Sequence, residues 1–277
     1  MRSNNPYLWE DIDFSDNENK PTFPVSGGDY FFTSCTFVDL SSDDSGEAIS
    51  FTSGDSLSID HCTFQECSTT GTANNYYGGG AVYVHSGTLS ISHSIFVSCT
   101  TSIYGGGVYA DLDCTSSSVL SSSFIECEAK YGGGLMTFFG PSSFLSQSCF
   151  VSCKSTHAGG GMYHDGTEYD HIKVTGTLFD NNSADTIDTN SIDYGGGGLK
   201  DYKTKEYTSK YSFSFFTRNS AKKGFGHDIA INTSSLQEGT IAHCYTTTAQ
   251  NSYNGGAAED DWLPQTNSST NFRAAKS

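Results

Sequence analysis

The stretch that decides the fold is Gly78-Gly79-Gly80-Ala81-Val82-Tyr83-Val84, together with the phrase that follows it, Ser94-Ile95-Phe96-Val97-Ser98-Cys99. Both phrases recur along most of the 277 residues. In each repeat a glycine cluster leads into an apolar residue, and a core aromatic residue follows 14 to 17 positions later. Self-similarity with a period of about 20–50 residues indicates a repeat architecture. We therefore predict a solenoid that is wound from one repeated coil.

Three columns of residues keep the same phase from coil to coil. The apolar column contains Ile49, Val82, Val108, Leu135, Met162, Leu199, Ile229 and Ala258. The aromatic column contains Phe37, Phe64, Phe96, Phe124, Phe150, Phe179, Phe216 and Tyr245. A third column, five residues before each core aromatic, contains Phe32, Ile59, Ile91, Val119, Leu145, Val174 and Tyr211. Three columns in phase predict strands stacked in parallel and in register, about 4.8 Å apart.

The predicted fold is therefore all-β: a single-stranded, right-handed parallel β-helix of about eight coils. The hand follows from the general preference of parallel crossovers. We expect one β-helical domain over residues 27–264. Residues 1–26 lack the repeat and are expected to form an N-terminal partial cap or flexible segment, because the open end of a solenoid needs covering. Residues 265–277 are polar and are expected to be a disordered tail.

The charge and hydropathy of the chain disfavour two classes of partner. The formal net charge is −17, so nucleic acid and anionic membranes would be repelled. No apolar run is long enough for a membrane span, so direct membrane insertion is not expected. The first 20 residues also lack the apolar core of a signal peptide. We expect this chain to be part of a longer secreted polypeptide, located at the cell surface or outside the cell; an intracellular chain is the alternative.

Two phrases of the repeat carry a resemblance to known surface proteins. Gly79-Gly80-Ala81-Val82, and Phe179 with Asn182, resemble the GGA-aliphatic and FxxN phrases of the chlamydial polymorphic outer-membrane protein repeats. The chain also resembles the right-handed parallel β-helix surface proteins of anaerobic protists, in which Cys often fills the Asn position. The resemblance covers residues 30–260. It implies a pectin-lyase-like solenoid that acts as an adhesin-like, surface-exposed scaffold, and it implies no catalytic residues.

The cysteines suggest a structural column rather than a reactive centre. Cys67, Cys99, Cys127 and Cys153 lie three residues after successive core phenylalanines, and Asn182 and Asn219 continue the column. A position that accepts both cysteine and asparagine requires a small, partly polar side chain that faces inward at a bend. Disulfides and a metal site stay open as alternatives, although the ligand spacing typical of zinc sites is missing. We expect no metal site and no cofactor.

An enzyme is the main alternative function. Pectin-degrading enzymes use this kind of solenoid, and Gly226-His227-Asp228 and His171-Ile172-Lys173 resemble phrases of polygalacturonases. However, His227 and Asp228 fall on the glycine-corner positions of their coil, which a structural repeat explains. We expect no catalytic residues, since fold alone does not establish function. A structural spacer within a longer surface protein is the third possibility.

Two insertions mark the predicted binding region. From core aromatic to next apolar residue the spacing is 18 residues after Phe64 and 20 after Phe179, against 11 to 13 elsewhere. Both insertions are expected to leave the rod at one corner and to bind a glycan or protein of the host or cell surface. The candidate binding residues are Asn74, Asn75, Tyr76, Tyr77, Asp185, Asp188, Asn190, Asp193 and Tyr194. Neutral insertion at a tolerant turn is the alternative.

Tyr83, Tyr109 and Tyr163 each follow the inward-facing apolar residue of their coil. Alternation along a strand therefore points them outward as an aromatic stripe. Packing between neighbouring coils on the outer face is the interpretation that we favour, and a ligand platform is the alternative.

Overall fold

The structure is a computed structural model, and its description covers most of the chain. The described residues are 7–15, 27–70, 78–138, 142–166, 171–185, 195–203, 210–222, 227–232, 241–242, 245–246, 251–254 and 272–274. Every regular element in these ranges is a β-strand, and every strand pairing is parallel. The prediction of an all-β parallel solenoid is confirmed, and the right-handed winding stays a prediction.

The strands form three parallel sheets that run along the rod. The large sheet has 16 strands in two columns, which are joined where Val82–Ser92 and Val108–Leu120 run through both. Its first column also contains Ile49–Phe51, Leu135–Phe138, Met162–Gly166, Leu199–Lys203, Ile229–Asn232, Asn251–Asn254 and Phe272–Ala274. Its second column also contains Tyr7–Glu10, Asp29–Thr33, Ser56–Asp60, Ser142–Ser146, His171–Thr175, Lys210–Ser212 and Ile241–Ala242.

The two other sheets are built from shorter strands. The nine-stranded sheet contains Asp13–Phe14, Thr36–Val38, Thr63–Gln65, Ile95–Val97, Ser123–Ile125, Cys149–Val151, Leu178–Asp180, Phe215–Thr217 and Tyr245–Thr246. The seven-stranded sheet contains Ser41–Ser42, Ser68–Thr69, Thr100–Thr101, Glu128–Tyr131, Lys154–Ala158, Ser183–Ala184 and Ser220–Ala221. Each coil of the solenoid passes in turn through the first and second columns of the large sheet, then through the nine-stranded sheet and then through the seven-stranded sheet.

Six coils are complete, slightly fewer than the eight predicted. They begin at Ile49, Val82, Val108, Leu135, Met162 and Leu199, and each has strands in both columns of the large sheet and in each of the two other sheets. Among the described residues, the turns at the two ends lack at least one of these strands; the turn that begins at Asp29, for example, has none in the first column of the large sheet. At the start, Tyr7–Glu10 pairs with Asp29–Thr33, and the Trp9 ring stacks on Phe32 with 4.6 Å between centroids. Near the end, Phe272–Ala274 pairs with Asn251–Asn254, although the sequence predicts a disordered tail there.

The three predicted columns form the core, with one correction. The rings from Phe37 to Phe216 are fully buried and stack in one ladder, with centroids 4.6 to 5.0 Å apart in successive coils. The placement of Tyr245 in this ladder is wrong, because Phe216 pairs with Thr246 and Tyr245 pairs with Phe215. Tyr211 pairs with Ile241, and five residues later the same register aligns Thr246 with Phe216. Ala258 lies outside the described residues.

Two corners of each coil are single-residue bends in the left-handed backbone region. The first bend follows the large sheet and holds Asp11, Ser34, His61, His93, Ser121, Gln147, Gly176 and Phe213. The second follows the nine-stranded sheet and holds Asp39, Glu66, Ser98, Glu126, Ser152, Asn181 and Arg218. Left-handed backbone costs a non-glycine residue about 1–2 kcal/mol. The N–H groups nevertheless continue the ladder: His61 donates to the Ser92 carbonyl at 3.1 Å and Glu66 to the Val97 carbonyl at 2.9 Å.

The third corner is the glycine cluster, where neighbouring coils approach most closely. Gly132 has a φ of 63°, a conformation that L side chains rarely adopt. At Gly133 the reason is steric, since an added Cβ would lie 2.2 Å from the Gly160 carbonyl oxygen. His227 and Asp228 occupy this corner in their coil, because Gly198 and Leu199 donate backbone hydrogen bonds to their carbonyls at 3.1 and 2.9 Å. Their corner assignment is therefore confirmed.

The cysteine column lines the inside of the second bend as a row of hydrogen-bond donors. The thiol of Cys153 donates to the Phe124 carbonyl one coil earlier at 3.4 Å, and Cys67, Cys99 and Cys127 repeat the contact. The amide of Asn182 makes the same contact to the Phe150 carbonyl at 3.0 Å. Burial raises the pKa of the Cys99 and Cys153 thiols well above the usual value, which keeps the S–H donors in place. All eight described cysteines are free thiols.

Candidate functional site

The residues directly before the two insertions lie in the same column of the seven-stranded sheet. Thr69 pairs with Thr101, and pairing through Ala129 and Ser155 carries this column to Ala184. Thr70 and Asp185 follow directly and are the last described residues before the two insertions. The separation is four coils, or about 19 Å along the rod at 4.8 Å a coil.

The residues directly after the two insertions also lie in one row. Gly78 forms a bridge with Tyr104, Tyr104 with Tyr131, and Ala158 with Gly195. Tyr131 and Ala158 pair in register, so these bridges form a single row along the glycine corner. In the coils between the insertions, this row therefore presents Tyr104 and Tyr131.

These two tyrosines pack against the outward-facing residues of the neighbouring strands. Tyr104 lies 5.1 Å from Tyr109 and 5.7 Å from Tyr131, and Tyr131 lies 5.7 Å from Tyr163, measured between ring centroids. Tyr83 stacks on Tyr109 at 5.6 Å. We call Tyr83, Tyr104, Tyr109, Tyr131 and Tyr163 the tyrosine face. It forms a second apolar cluster outside the solenoid core.

The prediction that Tyr83, Tyr109 and Tyr163 point outward and pack between coils is confirmed. Tyr109 and Tyr163 are buried by their neighbours, whereas Tyr83, Tyr104 and Tyr131 stay partly exposed. The alternative of a ligand platform therefore rests on these three partly exposed rings. The ammonium of Lys130 lies 5.5 Å from the centroid of Tyr131, within the range of a cation–π contact.

A buried carboxylate fixes one end of the tyrosine face. Asp111 accepts hydrogen bonds from the hydroxyls of Tyr83 and Tyr109, both at 2.8 Å, and from the Leu112 amide at 2.7 Å. His85 places Nδ1 3.2 Å from Asp111 and Nε2 3.5 Å from Asp113. Burial, followed by the charge of Asp111, raises the pKa of both Tyr83 and Tyr109. The two phenols therefore stay protonated and donate to one carboxylate, which fixes the orientation of the Tyr83 and Tyr109 rings.

A second polar group lies inside the rod. The hydroxyl of Thr137 and Nδ1 of His164 are 2.7 Å apart, and the Tyr211 hydroxyl donates to Asp201 at 2.5 Å. Thr137, His164 and Asp201 are inward-facing neighbours in one column, where Val84 and Ala110 stand in earlier coils. All are at most 2 % exposed, so this group belongs to the interior and not to a site open to solvent.

Of the nine predicted binding residues, the structure describes only Asp185. It is exposed, and its backbone N–H donates to the Ser155 carbonyl at 2.8 Å. Asn74, Asn75, Tyr76, Tyr77, Asp188, Asn190, Asp193 and Tyr194 lie outside the described residues. Tyr104 and Tyr131 are not among the residues predicted from the sequence. Their position in the sequence could have indicated them, because each stands directly before a glycine cluster, as Tyr77 and Tyr194 also do.

The strand pairing and the stacked core define the protein as a parallel β-solenoid. The chain matches no protein-family model, no curated protein and no solved structure. Among the described residues, no helix is long and apolar enough to cross a membrane.

Proposed function

We propose that this protein is a non-enzymatic, adhesin-like scaffold of the cell surface that binds a glycan or a protein at its variable corner. The observation that carries the proposal is the alignment of the two insertions. The residues before them, Thr70 and Asp185, directly follow one column of the seven-stranded sheet, and the residues after them, Gly78 and Gly195, lie in one row along the glycine corner. Loops on a rigid frame are where binding residues concentrate.

The tyrosine face supports a recognition role at this corner. Tyr104 and Tyr131 lie between the two rejoining points and are partly exposed, while the stacked rings around them limit their movement. A tyrosine offers a large apolar face and a polar hydroxyl at low conformational cost, which suits both sugar rings and protein surfaces. The two rings lie within the stretch of about 19 Å that separates the flanks of the two insertions.

The test compares binding by the intact protein and by a double-deletion variant. Each insertion is shortened to the spacing of the neighbouring coils, and both proteins are applied to a glycan array and to cultured cells. We expect the variant to keep its circular dichroism spectrum and its cooperative unfolding but to lose most binding. Unchanged binding by a folded double-deletion variant would contradict the role of the insertions.

Two further variants locate the surface more closely. Tyr104→Ser with Tyr131→Ser removes two partly exposed rings of the tyrosine face, and we expect weaker binding. Ile95→Ser is the matched control, because Ile95 is 41 % exposed on the nine-stranded sheet, away from this corner. If the wild-type protein binds neither glycans nor cells, the spacer alternative replaces the proposal. Release of new reducing ends from an array polysaccharide would instead favour a carbohydrate-active enzyme.

A further inference from the structure

A cluster of one carboxylate and two imidazoles lies at the first bend, away from the tyrosine face. Asp60 ends the strand Ser56–Asp60, and His61 is the bend residue that follows, with a φ of 53°. His93 is the bend residue of the next coil, with a φ of 48°. Because both histidines occupy the same position in adjacent coils, their rings stack, with centroids 4.7 Å apart and planes inclined by 18°.

The carboxylate of Asp60 lies against both rings. Its Oδ2 is 2.9 Å from Nδ1 of His61, and its Oδ1 is 3.1 Å from Nδ1 of His93. The hydroxyl of Ser92, which pairs with Asp60 across the strands, donates to Oδ1 at 2.6 Å. One ligand atom from each of Asp60, His61 and His93 lies within 4.8 Å of the others. The side chains are 37 to 59 % exposed, so an ion in solution has access to them.

We propose that Asp60, His61 and His93 form a binding site for a divalent transition-metal ion of the Zn²⁺ type. Zn²⁺ binds imidazole nitrogen at about 2.0–2.1 Å and carboxylate oxygen at about 2.0–2.2 Å. Two such ligands on a tetrahedral ion are about 3.4 Å apart. The observed nitrogen–oxygen distances of 2.9 and 3.1 Å are therefore within a few tenths of an ångström of this separation.

Binding would replace the hydrogen bonds between Asp60 and the two rings. Each imidazole would bind as the neutral Nε2–H tautomer and would offer the lone pair of Nδ1. A neutral ring protonated at Nδ1 would exchange that proton for one at Nε2, and an imidazolium would release its Nδ1 proton to solvent. The Ser92 hydroxyl would keep the carboxylate oriented, as outer-shell partners of metal ligands do. Water would fill the remaining coordination position, since all three side chains face solvent. Imidazole ligands favour Zn²⁺, Ni²⁺ and Cu²⁺ over Ca²⁺ and Mg²⁺.

The position of the cluster gives the ion a structural consequence. His61 and His93 belong to consecutive coils, so an ion held by both would link two coils through side chains as well as through backbone. The column has Ser34 before this pair and Ser121 after it, so among the described coils only these two present imidazoles here. The net charge of −17 also favours accumulation of cations near the protein.

The test measures Zn²⁺ binding by isothermal titration calorimetry and Co²⁺ binding by visible absorption. The variant His61→Asn with His93→Asn removes both imidazoles but keeps residues that tolerate left-handed backbone. Gln147→Asn is the matched control, since Gln147 occupies the same bend two coils after His93 and lies outside the cluster. We expect one Zn²⁺ to bind to the wild type and the control, and at least tenfold weaker binding to the double variant and to Asp60→Asn.

The Co²⁺ spectrum separates this site from the cysteines, because nitrogen and oxygen ligands lack the intense charge-transfer bands of thiolates. Equal Zn²⁺ affinity of the wild type and a folded double variant would overturn the proposal, and so would a thiolate spectrum. A measurement on the wild type alone provides a second check. Zn²⁺ should shift the imidazole NMR signals of His61 and His93 and leave that of His157 unchanged, and no shift at either ligand would also overturn it.

Discussion

The ring of Phe124 lies parallel to the ring of Phe150 in the next coil, with centroids 4.7 Å apart and planes inclined by 1°. Phe96 stacks on the opposite side of Phe124 at the same distance. Phe124→Ala would open a cavity between two rings that neighbouring coils hold at a fixed spacing. We expect it to lower the free energy of unfolding by about 3–5 kcal/mol, measured by urea denaturation.

The control for Phe124→Ala is Phe144→Ala, which removes a ring that is 47 % exposed on the large sheet. Substitutions on the surface usually change stability by less than about 0.5 kcal/mol, and we expect a value near this for Phe144→Ala. Similar losses for both variants would contradict the central role of the ladder.

The glycine corner gives a second prediction. Gly133→Ala would place a Cβ 2.2 Å from the Gly160 carbonyl oxygen and 2.4 Å from the Lys154 carbonyl oxygen, so two coils would have to separate. We expect a marked fall in the thermal unfolding midpoint. Gly27→Ala is the matched control, because the nearest atom to its added Cβ is 3.9 Å away. An unchanged midpoint for Gly133→Ala would show that the two coils can separate at this corner without a loss of thermal stability.

The cysteine and asparagine column predicts an order among substitutions at Asn182. The Asn182 amide donates to the Phe150 carbonyl at 3.0 Å and accepts from the Cys153 N–H at 2.9 Å. Asn182→Leu removes both hydrogen bonds. An unpaired buried polar group costs about 1–3 kcal/mol. Asn182→Cys keeps a donor for the Phe150 carbonyl, as Cys153 does for Phe124 one coil earlier. We therefore expect Asn182→Leu to be the less stable variant in urea denaturation. The reverse order would mean that apolar filling outweighs hydrogen bonding here.

The tyrosines around Asp111 predict a loss of stability at alkaline pH. Burial and the charge of Asp111 raise the pKa of Tyr83 and Tyr109 in the folded chain. In the unfolded chain, tyrosine loses its proton near pH 10. The stabilisation is therefore complete below about pH 10, and it declines as the pH rises towards the folded pKa values. Unfolding free energies from urea denaturation should show a decline between about pH 10 and 12.

The variant Asp111→Asn tests the cause of the alkaline decline. It removes the charge that opposes ionisation of the two phenols while keeping a side chain of similar shape. We expect a shallower decline than in the wild type, with Tyr83 ionising at lower pH in a spectrophotometric titration. Identical profiles would show that Asp111 has no part in the shift.

Periodicity predicted most of the core from the sequence, because a parallel solenoid repeats the same environment at the same position of each coil. Phe64 and Phe96 could be paired in this way without any structure, and the pairing is confirmed. Periodicity is misleading at Tyr245, because the strand register aligns the neighbouring residue Thr246, which is not aromatic, with Phe216. It also overestimated the number of coils, because a repeat phrase does not show whether all strands of a coil are present.

The functional surfaces were harder to predict, because they depend on contacts that sequence spacing does not encode. Tyr104 precedes a glycine cluster, but only the bridge to Gly78 shows that it shares a row with the returning insertion. His61 and His93 each stand three residues before a core phenylalanine, so their alignment was readable. The sequence does not show that the Asp60 carboxylate contacts both imidazoles. This contact depends on the directions of three side chains at the bend, which only the structure gives.

The unbroken backbone ladder through the bends also has a consequence for folding. The bond from His61 to Ser92 joins residues 31 positions apart, and the bond from Glu66 to Val97 joins residues at the same separation. Among the described residues, each strand pairs with strands of the adjacent coils and not with a remote part of the chain, as the strands of a β-sandwich do. Once two coils have paired, each further coil can add to an edge that already presents its partners. The rod can thus grow from any nucleated pair in either direction, and hydrogen exchange should be slowest in its middle coils and fastest at its ends.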